Sequence, residues 1–178
     1  MAAPPEPSEH EVLTWTDFGL AARELADQVQ ADGFRPDVVL AIARGGLAVA
    51  GAVAYALGVK NCFCVNVEYY RGVGERLDLP VLLAPALDPV DLAGMRVLVC
   101  DDVNDTGHTL ALVHDRIRSQ VARTRCLVLY EKPRSITRAD YVWRRTDRWI
   151  DFPWSVGTPS VAPTELAVDP SSIAQPHA

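Results

Sequence analysis

The sequence lacks the long apolar run and the excess of positive charge that mark two large classes of protein. No stretch approaches the roughly 20 apolar residues that a membrane-spanning helix needs. The first residues, MAAPPEPSEHE, have neither the basic start nor the apolar centre of a secretory signal. The formal net charge of -6 disfavours a broad surface for nucleic acids or anionic membranes. We therefore expect a cytoplasmic protein that binds neither.

Cysteine is scarce, and two familiar nucleotide-binding signatures are missing. The four cysteines form no CxxC pair, so neither a structural zinc site nor a disulfide framework is indicated. They lie in apolar segments and are expected to be small buried residues in a reducing compartment: Cys62, Cys64, Cys100 and Cys126. Neither GxxxxGK(S/T) nor GxGxxG is present, which disfavours a P-loop or a dinucleotide-binding fold.

The composition fits one globular domain with weakly ordered ends. The 178 residues are 49% hydrophobic and 22% charged, which is enough for a single core. Residues 1–11 are rich in proline, alanine and glutamate, and residues 157–178 are rich in proline, serine and alanine, so both ends are predicted to be tails. Between them we predict one domain over residues 12–156.

Strand and helix patterns alternate through this domain. It begins with an amphipathic helix that contains Phe18 and Val29, with Thr14 or Thr16 as its cap. The predicted strands are 38–43, 62–67, 96–100 and 125–130, and the further predicted helices are 47–57 and 109–120. Such alternation is typical of an α/β fold with an open, mainly parallel twisted sheet and helices on both faces. Ligands of these sheets bind beyond the carboxyl ends of the strands.

The most informative segment is Val97–Thr109, VLVCDDVNDTGHT. A buried strand leads to the paired carboxylates of Asp101 and Asp102, and a small glycine-bearing turn then opens an apolar helix. Backbone amides at such a helix start are unpaired and bind phosphate with help from the helix dipole. The two carboxylates need another partner, such as a vicinal diol or a metal ion. The simpler alternative is that Asp105 or Thr106 caps the helix and that the carboxylates are ordinary turn residues.

This run resembles the phosphoribosyl pyrophosphate (PRPP) signature of type I phosphoribosyltransferases, in which apolar residues precede two acids and a spaced TGxT. The resemblance implies that Asp101 and Asp102 hold the ribose hydroxyls and, with Mg²⁺ as the cofactor, the metal. It also implies a loop that wraps the 5′-phosphate, and this loop consists of Asp105, Thr106, Gly107, His108 and Thr109. Position 108 varies in relatives, so the His108 amide is expected to matter more than its ring.

A second candidate is the strand-to-helix turn at Arg44, Gly45 and Gly46. Paired glycines let backbone amides approach an anion, and a guanidinium at the same corner holds it by two hydrogen bonds. Alone, such a turn is most often only a turn. Beside the first motif it resembles the pyrophosphate loop of the purine-type members, which implies a cis peptide between Ala43 and Arg44.

The polar, glycine-bearing segment Glu68–Pro80 lies between two apolar strands. Its composition is also that of a solvent-exposed hairpin loop. In the family that the chain resembles, a mobile loop at this place closes over the substrates and excludes water. Tyr69, Tyr70 and Arg71 are therefore candidates for a lid.

Residues 132–156 resemble the small hood of bacterial xanthine-guanine and hypoxanthine phosphoribosyltransferases. A planar base is held by stacking on an aromatic face, and an amine at its edge selects a carbonyl oxygen. By this resemblance Lys132 meets O6 of a 6-oxopurine, Trp149 stacks on the base, and the Ile150 backbone faces the 2-position. For isolated residues, a solvated lysine and a core tryptophan are the commoner interpretations.

These resemblances imply a purine salvage enzyme. It would transfer the 5-phosphoribosyl group from PRPP to a 6-oxopurine and release pyrophosphate and a purine nucleotide. Asp105 and Arg44 are the expected catalytic residues, with Asp105 handling the purine proton at N7. A homodimer or homotetramer is also expected. Two alternatives stay open: a PRPP- or nucleotide-sensing regulator of the same fold, and a phosphoribosyltransferase with a non-purine acceptor.

Overall fold

The structure, a computed structural model, describes residues 10–72, 75–82 and 92–157. Its elements in chain order are β1 (His10–Val12), α1 (Trp15–Ala31), β2 (Val38–Ala43), α2 (Gly45–Leu57), β3 (Cys62–Gly72), β4 (Glu75–Leu82), β5 (Arg96–Asn104), α3 (His108–Ile117), β6 (Arg123–Glu131), β7 (Tyr141–Arg145) and β8 (Trp149–Asp151). No helix in the described ranges is long and apolar enough to cross a membrane.

Six strands form the main sheet, in the order β4-β3-β2-β5-β6-β7. Every neighbouring pair is parallel except β3 and β4, which are antiparallel. One core cluster joins α1 and α2 to one face of the sheet, and a second cluster joins α3 to the other face. The predicted α/β fold, with an open, mainly parallel sheet flanked by helices, is confirmed.

The central strands are apolar on both faces because helices cover both faces. In β2, Val39 and Ala41 belong to the cluster of α1 and α2, whereas Leu40 belongs to the cluster of α3. β5 begins in the same way, and its residues 97–100 have no exposed surface. A strand that alternated polar and apolar residues would bury polar groups against one of the two helical layers.

The two ends of the domain meet in a separate two-stranded parallel sheet of β1 and β8. His10 and Glu11, which the sequence places in the tail, belong to β1, and His10 Nδ1 lies 3.1 Å from the Asp151 carboxylate. β7 meanwhile extends the main sheet. The hood is therefore built partly from the main sheet and partly from the start of the chain, a pairing too distant in sequence for local composition to indicate.

Three element boundaries differ from the prediction by three or more residues. β5 continues past Cys100, because its pairing with β6 extends to Asn104 opposite Glu131. β3 continues to Gly72 and pairs with β4, so most of the predicted loop after residue 67 has the backbone of a hairpin. α3 ends at Ile117, and a tight turn follows in which the Gln120 amide donates to the Ile117 carbonyl.

The cysteines are buried only in part. Cys100 and Cys126 are buried as predicted, but Cys62 and Cys64 are exposed, which corrects the prediction. Both exposed residues lie on β3, whereas α2 packs mainly against β2 and β5. All four thiols are free.

Candidate active site

The carboxyl ends of β2, β5 and β6 meet at one edge of the sheet, and two cavities open at this edge. The first, of about 520 Å³, is lined by residues 101, 103–110 and 128. The second, of about 700 Å³, is lined by residues 103, 105, 132, 134, 147, 149–152 and 155–157. Val103 and Asp105 line both cavities. The site thus has two adjoining halves with the Asp105 carboxylate at their boundary.

The turn that joins β5 to α3 forms the floor of the first cavity. Gly107 is the N-cap of α3 and makes no side-chain cap hydrogen bond, so the expectation that Asp105 or Thr106 is the N-cap residue is wrong. The Thr106 hydroxyl is instead 3.1 Å from Nδ1 of His108, and Thr109 lies in the first helical turn. The start of α3 thus opens into the first cavity without a side-chain bond from its N-cap residue.

Gly107 is required by its position. Its φ of +90° is unfavourable for other residues, and a Cβ there would lie 2.6 Å from Ser135 Oγ and 2.7 Å from the Thr137 amide nitrogen. The Ile136 amide also donates to the Thr106 carbonyl at 2.9 Å. The turn between β5 and α3 is therefore packed directly on the loop that follows β6.

Asp101 and Asp102 are the last carboxylates of β5 before the turn. Asp101 Oδ1 accepts a hydrogen bond from the Asp102 amide at 2.9 Å, and Asp102 Oδ1 accepts one from the Val103 amide at 2.8 Å. Burial and the neighbouring Asp102 raise the pKa of Asp101 well above its usual value. Burial also raises the pKa of Asp102, despite the hydrogen bond from Val103.

No ion pair among the described residues involves Asp101 or Asp102. Two adjacent carboxylates whose pKa values are raised mainly by burial, without a cation of the protein to offset it, suit a positively charged or hydroxyl-bearing ligand. No group of three or more His, Cys, Asp or Glu side chains in the described ranges could hold a metal ion by itself.

The Arg44 turn brings α2 against the end of β5. The peptide bond between Ala43 and Arg44 is cis, as the resemblance implies. A Cβ on Gly45 would overlap the Asp102 carboxylate, and a Cβ on Gly46 would overlap the Cys100 carbonyl oxygen. α2, like α3, has no side-chain cap. Arg44 itself is exposed and is not among the residues that line either cavity.

The second cavity contains the three residues predicted to bind a base. Lys132 and Ile150 are each only 7% exposed, whereas Trp149 is 68% exposed at the rim. The Lys132 ammonium donates a hydrogen bond to the backbone carbonyl of Arg148. Burial lowers the pKa of Lys132. The structure thus brings the amine, the aromatic ring and the buried backbone of β8 together around one space.

Arg134 is a site residue that sequence reasoning did not assign. Its Nε donates to Asp105 Oδ1 at 2.8 Å, and its Nη2 donates to Asp105 Oδ2 at 2.6 Å. A planar guanidinium fixes the orientation of a carboxylate through such paired bonds. The sequence did contain a signal for Arg134, because this residue follows Lys132 by two positions at the predicted ligand-binding edge of the sheet.

Trp154 was also missed. Its indole forms a side-chain hydrogen bond with Asp102 that lowers the pKa of this carboxyl, against the larger effect of burial. The ring stacks on Phe152, with centroids 5.1 Å apart, and meets Phe18 edge-on at 5.2 Å. The FPW segment therefore connects the hood to a metal-ligand candidate. Tyr69, Tyr70 and Arg71, the lid candidates, have side chains outside what the structure describes.

A family model described as a phosphoribosyl transferase domain matches residues 8–160. The chain belongs to this phosphoribosyltransferase family. The xanthine-guanine phosphoribosyltransferase of Roseobacter denitrificans is 33% identical over 162 residues, which cover 85% of this chain and 88% of the relative. That of Idiomarina loihiensis is 30% identical over 147 residues, covering 81% and 86%.

A solved structure agrees with this assignment. The purine phosphoribosyltransferase from Pyrococcus horikoshii superposes with a TM-score of 0.74 at 31% identity, and the match covers 88% of this chain and 99% of that one. The resemblance inferred from the Val97–Thr109 run is thereby confirmed. The individual roles of the site residues of this phosphoribosyltransferase stay predictions.

Proposed function

We propose that this phosphoribosyltransferase transfers the 5-phosphoribosyl group of PRPP to a 6-oxopurine, namely hypoxanthine, guanine or xanthine, and releases pyrophosphate. The observation that carries the proposal is the pair of adjoining cavities that share Asp105. One half has an uncapped helix start for a phosphate, and the other has a buried amine and a rim tryptophan for a base. The relatives that match most of the chain are named for purine substrates.

In the first half, the sugar phosphate lies over the turn between β5 and α3. The 5′-phosphate accepts hydrogen bonds from the backbone amides of Thr106 to Thr109, aided by the dipole of α3. Asp101 and Asp102 accept the hydroxyl protons of the ribose diol. Each carboxylate already holds one backbone amide, so its remaining lone pairs are what the diol would use.

The carboxylate pair also fits Mg²⁺. Mg²⁺ is bound in proteins through one or two carboxylates together with substrate oxygens rather than in an all-protein cage. Asp101 and Asp102 are two such carboxylates, half-buried and without an ion-pair partner among the described residues. When bound, Mg²⁺ would neutralise negative charge on the leaving pyrophosphate.

In the second half, Lys132 would donate to O6 of the purine, Trp149 would stack on the ring, and the Ile150 backbone would face the 2-position. The Lys132 ammonium already donates to the Arg148 carbonyl, and it has further donors for O6. The largely exposed Trp149 offers a free ring face. A stacked base would cover that face and bury apolar surface.

During the reaction, a ring nitrogen of the purine forms a bond to the anomeric carbon while the bond to the pyrophosphate oxygen breaks. Positive charge grows on the sugar and negative charge on the leaving group, so Arg44 and the loop amides need to bind more strongly in the transition state. Asp105, at the boundary of the two cavities, takes the proton from N7. Arg134 holds this carboxylate in a fixed orientation.

The test is pyrophosphate release by the purified protein with PRPP and Mg²⁺, with hypoxanthine, guanine, xanthine, adenine, uracil and orotate assayed separately. Release with one or more 6-oxopurines alone is expected. Release only with another base would support a different acceptor. No release with any base, together with tight PRPP binding, would support a regulator and contradict the proposal.

We also propose a cytoplasmic homodimer or homotetramer. The exposed side of α2 carries Leu47 and Tyr55, which are 48% and 92% exposed, and the helix contains no charged residue. Exposed apolar surface of this kind is typical of subunit contacts. Light scattering after size-exclusion chromatography measures the assembly, and a monomer would contradict this part.

The free thiols of Cys62 and Cys64 suit a reducing compartment, which supports the cytoplasmic location.

A further inference from the structure

Glu131 is a completely buried carboxylate at the carboxyl end of β6, and the reaction proposed above does not use it. It directly precedes Lys132, the predicted base-binding amine. Opposite it in the sheet register is Asn104, which is 3% exposed and directly precedes Asp105. These two buried polar residues therefore stand immediately before the key residue of each half of the site.

The carboxylate of Glu131 accepts hydrogen bonds from four residues that lie on three parts of the fold. Its Oε2 accepts from the Ala139 amide at 2.9 Å and from the Asn104 side-chain amide at 3.3 Å. Its Oε1 accepts from Arg145 Nε at 3.0 Å and from Arg138 Nη1 at 3.2 Å. The carboxylate thus connects β5, the loop after β6 and β7 through four hydrogen bonds.

Asn104 completes the link to the phosphate side. Its Nδ2 donates to Glu131 and, at 2.6 Å, to the Thr137 carbonyl. The Glu131 carboxylate and the Thr137 carbonyl both accept hydrogen bonds, so only the amide nitrogen of Asn104 can face them. These two bonds therefore fix the orientation of the Asn104 side chain. Its backbone carbonyl accepts from the Lys132 amide at 3.0 Å. Residues 135–137 are in turn packed on Gly107.

The charged form of Glu131 is favoured by this arrangement. Burial raises the pKa of the carboxyl, but the hydrogen bonds from Ala139, Arg145, Asn104 and Arg138 outweigh burial and hold the pKa below its usual value. A buried carboxylate is costly unless its lone pairs are satisfied. The donors of Glu131 are arranged so that removal of the carboxylate would leave several buried groups without a partner.

We propose that Glu131 is a positioning residue which, through Asn104 and the loop after β6, fixes the spacing between Lys132 in the base cavity and the phosphate-binding turn. The proposal rests on the proposed function, because it assigns the two cavities to the two ends of one nucleotide. Glu131 touches neither substrate. Its effect is therefore confined to ligands that must reach both cavities at once.

Two ligands separate this role from a general contribution to folding. Guanosine monophosphate spans both cavities, whereas ribose 5-phosphate occupies the first cavity alone. The Glu131→Gln variant keeps the shape of the side chain but removes its negative charge. The new side-chain NH2 group also faces hydrogen-bond donors, which it cannot accept from. Calorimetry should show nucleotide affinity reduced about 10- to 100-fold, as expected when groups are displaced by about an ångström, and ribose 5-phosphate affinity unchanged within about twofold.

A second variant and a matched control complete the test. Arg145→Gln removes one arginine partner of Glu131 and changes no residue that lines either cavity, so it should lower the affinity for the nucleotide but not for ribose 5-phosphate even if Glu131→Gln does not fold. Asp140→Asn is the control at the other end of β6, where this carboxylate accepts from the Cys126 amide at 2.7 Å and from Arg125 Nη1 at 2.9 Å. It should lower the melting temperature without changing the ratio of the two ligand affinities.

Three results would overturn the positioning role. The Glu131→Gln variant could lose affinity for both ligands equally, or for neither. Alternatively, Asp140→Asn could lose affinity for the nucleotide alone. A wild-type protein that binds neither ligand would overturn it as well. Failure of the proposed function has a different signature. The wild-type protein would then bind both ligands but release no pyrophosphate from PRPP with any purine.

Discussion

Asp37 at the amino edge of the sheet and the pair Asp101 and Asp102 at the carboxyl edge differ in how the protein balances their charge. At the amino edge, Asp37 receives Arg96 Nη2 at 2.6 Å and Arg96 Nε at 2.9 Å, and these bonds lower the pKa of Asp37 to about 2. At the carboxyl edge, burial raises the pKa values of Asp101 and Asp102, and no ion pair offsets it in the part of the chain that the structure describes. Arg96 thus balances the charge of Asp37, whereas no cation in the described ranges pairs with Asp101 or Asp102.

The helix starts differ in the same sense. α1 begins with Thr14, whose hydroxyl accepts from the Asp17 amide at 3.1 Å, so a side chain of the protein satisfies this helix. α2 and α3 begin at Arg44 and Gly107 with no side-chain cap. The proposed function assigns the starts of α2 and α3 to the anionic substrate, and this assignment can be tested residue by residue.

The largest effect is expected for Asp105→Asn. A residue that takes a proton in the transition state contributes about 10²- to 10⁴-fold to the rate, so kcat should fall by that order while the Kd for PRPP changes little. Steady-state kinetics and calorimetry measure the two quantities. Asp147→Asn removes another carboxylate from the lining of the second cavity and should leave kcat near the wild-type value. Equal losses in kcat and PRPP affinity would assign Asp105 to binding alone.

A smaller effect is expected for Gly45→Ala at the uncapped start of α2. The added Cβ would overlap the Asp102 carboxylate, so either this side chain or the helix has to move. PRPP affinity should fall about 10- to 100-fold. Gly19→Ala is the control in the capped helix α1, where nothing lies within 4 Å of the new Cβ. It should leave PRPP binding unchanged and stabilise the protein by about 0.5–1 kcal/mol. Unchanged PRPP binding in both variants would separate Gly45 from the site.

Local patterns were sufficient for most of the fold. Apolar runs predicted the central strands, because a strand covered by helices on both faces has to be apolar throughout. Thr14 or Thr16 was predicted as the cap from its place before an amphipathic helix, and the structure shows that the cap is Thr14. β1 was missed because three residues carry no periodicity, and its partner β8 lies at the other end of the domain.

The site was predictable where its residues are contiguous. The turn at Thr106 to Thr109 follows β5 directly, so strand, carboxylates and helix start could be located together. Arg134, Trp154 and Glu131 act through contacts with residues distant in sequence, namely Asp105, Asp102 and Asn104. Such contacts depend on the order of strands in the sheet, which a single sequence does not contain.

A third prediction concerns the second cavity. Lys132→Ala should raise the KM for the purine roughly tenfold, the value of one hydrogen bond from a charged group, and should leave PRPP affinity unchanged. The chain has one other lysine, Lys60, which is exposed. Lys60→Ala therefore controls for the loss of positive charge alone. An unchanged purine KM in Lys132→Ala would show that this amine does not bind the base.

The smallest effect is expected at the amino edge, for Asp37→Asn. Because the pKa of Asp37 is lowered from 3.8 to about 2 in the folded protein, its ion pair with Arg96 adds stability above pH 3.8, and this contribution is lost as the pH falls toward 2. Solvent screens this half-exposed pair, so the variant should lose less than about 1 kcal/mol at pH 7. Urea unfolding at several pH values should show the difference from wild type disappearing in acid, with kcat unchanged. A stability difference from wild type that persists at pH 2 would contradict the role of the Asp37 ion pair. A fall in kcat would show that Asp37 also affects the active site.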